Sequence, residues 1–112
     1  MGPMSFKRYD VYWVDLEPVC GSEMAKTRPA VIVSLDVLNQ ALDTLVICPL
    51  STKLHPGWRS RLTVRVGGKT GEIAADQIRV VSKRRLTRRI GSLAADDVDA
   101  LRRLLSEMYG EG

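Results

Sequence analysis

"RLTVRVGGKTGEIAAD", residues 61–76, reads as two short strands joined by a glycine pair. In RLTVRV (61–66) apolar and polar side chains alternate, the period of a strand with one face in the core, which puts Arg61, Thr63 and Arg65 on the outward face. Gly67 and Gly68 supply the left-handed or mirror-image backbone of a tight reversal, and EIAAD (72–76) returns. A hairpin in mid-chain needs further strands, and the flanks provide them. Upstream, DVYWVDL (10–16) is mostly β-branched and aromatic. PAVIVSL (29–35) repeats that character with proline at its first position, where a missing N–H is tolerated. DVLNQAL (36–42) opens on Asp36 as a candidate N-cap and has room for one or two helical turns, after which TLVICPL (44–50) reads as a buried strand. Downstream, QIRVVS (77–82) reads as one more short strand.

After Gly91 the period changes. Val98, Leu101, Leu104, Leu105 and Met108 recur at three- and four-residue steps, with Asp96 and Asp97 at the start and Gly110 just past the end. This predicts an amphipathic terminal helix over 94–109. The fold class that follows is mainly β, a small antiparallel barrel or sheet with a C-terminal helix packed on it.

Length and composition bound the rest. The 112 residues suit one domain, large enough to bury a core without disulfides. Residues 1–3 read as an expression scar ahead of Met4. Cys20 and Cys48 lack metal-ligand spacing and read as reduced thiols of a cytoplasmic protein. No apolar stretch approaches the roughly 20 residues needed to span a bilayer, and no membrane partner is expected.

The net charge of +4 is unevenly spread. Residues 53–89 hold eleven basic side chains against Glu72 and Asp76, a local charge of +9, while 1–52 carry −2 and 90–112 carry −3. A basic centre of this kind suits a polyanion bound through phosphate contacts and counterion release. Within it, Lys53, Trp58, Arg59 and Arg61 combine positive charge with a ring on which a base could stack. A partial core role for Trp58 is the alternative. Trp13, inside the first strand, reads as core or dimer interface. His55, the only histidine, sits in a Pro-Gly turn and is a weak candidate for acid–base work. The segment SKRRLTRR (82–89) reads as an exposed, solvated basic turn, with a nucleic-acid patch as the alternative.

DVYWVDLEPVCGSEMAKTRPAVIVS, VICPLSTK, GEIAADQIRVVSKRRL and IGSLAADDVDAL fall in the order and spacing of the MazF/PemK/Kid toxins. The chain resembles that family from Tyr9 to Met108. The resemblance implies the plasmid-maintenance toxin fold shared with CcdB, an SH3-like antiparallel barrel, usually as a homodimer. It also implies an endoribonuclease of single-stranded RNA that needs no metal or cofactor and is held in check by a cognate MazE-like antitoxin. CcdB-type gyrase poisons end in Trp-Gly-Ile, whereas this chain ends SEMYGEG; a catalytically silent RNA- or antitoxin-binding barrel is the other alternative.

RNA cleavage through its own 2′-OH needs a group to take that proton, one to protonate the leaving 5′-oxygen, and donors for the charge on the phosphoryl oxygens. A guanidinium suits the last task, being planar, permanently charged and matched to phosphate. The resemblance carries the family's catalytic arginine onto Arg28 and its hydroxyl partner onto Ser51. Many relatives have threonine then serine where this chain has Ser51 then Thr52, so Thr52 is the alternative hydroxyl. Glu23 is the candidate base or orienting partner, or else a surface carboxylate. Lys26 stands beside Arg28 as an RNA contact. Asp76 and Gln77 match the family's Asp-Gln pair, as base-edge contacts or loop supports, and Arg79 follows as an ion-pair or phosphate contact.

Overall fold

The computed structural model describes residues 5–17, 21 and 26–110. Seven strands and two helices follow in order: β1 (Asp10–Asp15), β2 (Thr27–Ile32), α1 (Asp36–Ala41), β3 (Thr44–Ser51), β4 (Arg61–Val66), β5 (Lys69–Ala74), β6 (Arg79–Ser82), β7 (Leu86–Ser92) and α2 (Ala95–Tyr109). Single 3-10 turns at Ala75–Gln77 and Lys83–Arg85 bracket β6. All pairings are antiparallel. The sheet runs β4-β5-β3-β2-β1-β7, and β6 pairs with the first half of β3, on the strand edge that β5 takes further along. The result is a curled antiparallel half-barrel with a C-terminal helix.

Both faces of the central strands are buried, which is why their sequences are nearly continuous apolar runs. On one face Tyr12, Val14, Ala30, Ile32, Leu45, Ile47, Val81 and Leu86 fill the curl made by β1, β2, β3, β6 and β7. On the other, Val11, Val31, Cys48 and Leu50 meet Val64 and Ile73 of the β4–β5 hairpin and Leu101 of α2. The apolar stripe of α2 is thus used for core packing. Burial, and after it the charge of Asp76, pushes the Cys48 thiol up to about 12, so it stays protonated and packs as a small apolar group. Among the described residues no helix is long and apolar enough to cross a membrane.

The hairpin turn follows from its two glycines. Val66 pairs with Lys69, and Gly67 and Gly68 between them have φ of 61° and 77°, the doubly left-handed geometry of a type I′ reversal. Other boundaries differ from the sequence reading. The second strand begins earlier, at Thr27, and ends at Ile32, while Gln77 belongs to the 3-10 turn before β6 rather than to a strand. Asp36 does not cap α1; Leu35 holds that position, and the Asp36 carboxylate accepts from the Arg8 N–H at 2.7 Å. Residues 86–89, expected within an exposed turn, belong instead to the edge strand β7 against β1.

A candidate phosphodiester site in a basic groove

Arg28 lies on β2 and pairs with Val14 of β1. On its other side β2 pairs with β3 from Ile32↔Ile47 to Ala30↔Pro49, and Arg28 and Ser51 lie two residues past the end of that ladder on their two strands. Ser51 in turn pairs with Glu72 of β5. Pro29 and the buried Ala30-Val31-Ile32 run anchor the backbone directly after Arg28, so the arginine leaves a rigid element.

Arg28, Ser51 and Thr52 line a groove of about 610 Å³ together with Lys26, and its apolar floor includes Trp13 and Leu50. Lys69, Arg88 and Arg89 complete its basic wall; among the described residues five cations and no carboxylate line the groove. Such a wall attracts anions and adds its potentials where walls exclude water. Arg89 is partly compensated, since its Nε donates to Asp10 at 3.0 Å and Asp10 also accepts from the Ser92 hydroxyl at 2.6 Å. The mouth near Arg28 is held by backbone geometry: Lys26 has φ of 69°, its N–H donates to the Glu17 carboxylate at 3.0 Å, and its carbonyl accepts from Leu16 N–H. A lysine held in the left-handed region is a strained feature fixed by its neighbours. Ser51 is buried, and its Oγ accepts the Lys53 N–H at 3.0 Å. That bond fixes the oxygen and leaves the hydroxyl proton to be donated elsewhere.

The remaining expected contacts gather at a second place. Arg61, expected on the outward face, has a side chain only 7% exposed, because the loop between β3 and β4 folds over that face of the hairpin. Its Nη1 donates to Glu72 at 2.8 Å, and its Nε and Nη2 grip both oxygens of Asp76 at 2.7 and 3.3 Å. Asp76 is thereby occupied as a structural acceptor. Glu72, with a 2% exposed side chain, also accepts from His55 N–H at 2.5 Å and from His55 Nδ1 at 2.8 Å. Burial opposes ionisation of Glu72, yet the bonds from His55 and Arg61 outweigh it and hold its pKa below the ordinary value. For Asp76 burial acts the same way and is outweighed by bonds from Arg61 and Ser60. The bond to Asp76, the first cause, raises Arg61 further.

Trp58 is 52% exposed, with the His55 ring 4.1 Å behind it and the Arg61 guanidinium 4.9 Å from its centroid. It is therefore a supported surface ring rather than core. Arg59 reaches α2 through an exposed ion pair with Glu107 at 2.6 Å. Lys53 is exposed, Gln77 stands in the 3-10 turn, and Arg79 donates to the Leu16 carbonyl at 3.3 Å. None of these residues lines the groove. Glu23 and Cys20 lie outside the described residues. Sequence reasoning missed Trp13, Lys69, Arg88 and Arg89 as groove residues. For Arg88 and Arg89 the signal was the run Leu86–Ser92, masked as a strand by two register shifts against β1.

A family model described as "PemK-like, MazF-like toxin of type II toxin-antitoxin system" matches residues 7–109. The chain belongs to the PemK/MazF toxin family. Within it, Endoribonuclease EndoA of Bacillus subtilis (strain 168) is 30% identical over 104 residues, spanning 86% of this chain and 87% of that relative. The fold is that of MazF from Deinococcus radiodurans, with a TM-score of 0.86 at 22% identity over 97% of this chain and 100% of that one. A mycobacterial endoribonuclease in complex with its cognate antitoxin aligns with a TM-score of 0.80 at 21% identity, over 95% and 96% of the two chains. The MazE-MazF complex (Form-III) of Deinococcus radiodurans gives 0.80 at 21%, over 97% and 100%. The half-barrel with its basic groove is thus the PemK/MazF fold.

Proposed function

We propose that this chain is an endoribonuclease toxin that cuts single-stranded RNA in the groove of Arg28 and Ser51. The observation that carries the reading is that Arg28 and Ser51 line one groove, whose wall among the described residues holds five cations. The 2′-OH next to the scissile phosphate gives its proton to a base and attacks phosphorus, the bond to the 5′-oxygen breaks, and that oxygen takes a proton from water, giving a 2′,3′-cyclic phosphate and a 5′-hydroxyl. Negative charge builds on the non-bridging oxygens, and Arg28 meets it with paired donors. Ser51, its oxygen already held by Lys53 N–H, donates a hydrogen bond to the same oxygens. Thr52, exposed at the groove wall, is the second hydroxyl in reach. Glu23 is the candidate base for the 2′-OH, and the chemistry uses no metal. Trp58, with Lys53 beside it on the same loop, is a base-stacking contact on the path of the strand. Arg61 and Asp76 support that platform instead of touching RNA.

The physiological consequence is loss of cellular RNA and arrest of growth, relieved by a cognate antitoxin protein. Two similar folds were solved with antitoxins, which supports this partner. A homodimer in the cytoplasm follows from the family resemblance. The test is incubation of pure protein with mixed RNA in excess EDTA and mapping of the ends. Cyclic-phosphate and 5′-hydroxyl ends are expected; no cutting of any RNA, or cutting abolished by EDTA, refutes the proposal.

A further inference from the structure

Glu72 is the most buried charged side chain among the described residues, and RNA cleavage as set out above does not use it. A buried ion pair is weak evidence for stability, because an apolar replacement of like volume is often as good. Its partners show a more specific arrangement. The loop of residues 52–60 leaves β3 just after Ser51, which pairs with Glu72 in the sheet. In its middle, His55 gives Glu72 both its N–H and its Nδ1 proton. At its return, Arg61 gives Glu72 a third bond. Start, middle and end of the loop converge on one carboxylate. The Ser51 oxygen accepts a bond from inside the same loop, from Lys53 N–H.

We propose that Glu72 and His55 are positioning residues for Ser51: they fix the 52–60 loop so that Lys53 N–H holds the Ser51 hydroxyl toward the groove. The inference rests on the reading that the groove cleaves RNA. A carboxylate can only accept, so His55 Nδ1 carries the proton and the ring serves as a neutral or charged donor alike. Nothing in the bracket touches substrate; its effect is on the orientation of a donor, where small misplacement lowers rate more than binding.

The test compares His55→Ala with His55→Asn, whose side-chain amide nitrogen can stand where Nδ1 stands. Steady-state kinetics on a short RNA are read beside amide hydrogen exchange at Lys53. His55→Ala is expected to lower kcat by about tenfold with KM changed less than about threefold, and to speed exchange at Lys53. His55→Asn should recover most of the kcat and the protection, although it loses the stack behind Trp58. Unchanged kcat in His55→Ala despite faster Lys53 exchange overturns the inference alone, as does equal loss in both variants. Wild-type protein that cuts no RNA overturns the cleavage reading and this inference with it. If His55→Ala fails to fold, Glu72→Gln, which keeps the shape and one acceptor, is held to the same split between kcat and KM.

Discussion

Arg28 and Arg61 stand in one basic chain on one sheet, and they are set into different surroundings. Arg61 is enclosed by two carboxylates and a carbon ring, so its charge is spent inside the protein. Arg28 opens into a groove whose described walls carry cations and no carboxylate. Arg61 pairs in register with Ala74, reaches Glu72 diagonally across the hairpin and Asp76 in the turn beyond it, whereas Arg28 shares its groove with the Ser51 hydroxyl. An arginine's residue type gives its capacity for phosphate, and the surface it is set into decides what that capacity meets.

The contrast predicts different failures. Arg28→Ala should lower kcat by about two to three orders of magnitude; a variant that stays active would remove Arg28 from the site. Arg61→Ala should act on stability. It leaves Glu72 buried with one partner fewer, at a cost of about 3 kcal/mol, measurable by urea denaturation. An Arg61→Ala protein of wild-type stability would mean the loop reorganises and Glu72 reaches water.

Smaller effects sharpen the same comparison. Ser51→Ala should lose about tenfold more cleavage than Thr52→Ala, as expected when only one hydroxyl donates in the transition state; the opposite order would make Thr52 the catalytic hydroxyl. The acid limb of stability should belong to the Arg61 side. Glu72 and Asp76 have pKa values lowered by folding, so the unfolded chain binds protons first as pH falls. Their contribution is present above the unfolded carboxylate range of about 4 and is lost as pH drops through the lower folded values. Thermal melts should be flat from neutral pH to about 5 and fall below about 4, with a shallower acid limb in Glu72→Gln. Raising salt should weaken RNA binding with a log–log slope near −0.7 per phosphate contacted, and Arg88→Ala should lower that slope by about one contact.

How much of this was legible in the sequence depends on which forces decide each part. The hairpin was readable because alternation and a glycine pair are local signals, and α2 because its stripe keeps one period over four turns. Strand β7 was not, since its register shifts break the alternation and its arginines dominate the composition of 82–89. Arg28, Ser51 and Lys26 were found through the motif, and the structure adds that they share one groove with Trp13, Lys69 and Arg88. The Glu72–His55–Arg61 bracket was invisible for a different reason. Arg61 and Glu72 lie on the paired strands of the hairpin, but His55, seventeen residues before Glu72, meets it only because a loop folds back over that face. Alternation put Arg61 outside the sheet, which is right for the backbone; the loop then covered it.

The most direct measurement is made on an RNA whose cut site has been mapped, resynthesised with a single 2′-deoxy nucleotide on the 5′ side of the scissile phosphate. If the groove acts through the RNA's own hydroxyl, cleavage at that bond is abolished while the affinity for the strand changes little. Cleavage that persists at the deoxy position would show that the nucleophile comes from elsewhere, and the roles given to Arg28 and Ser51 would fall with it.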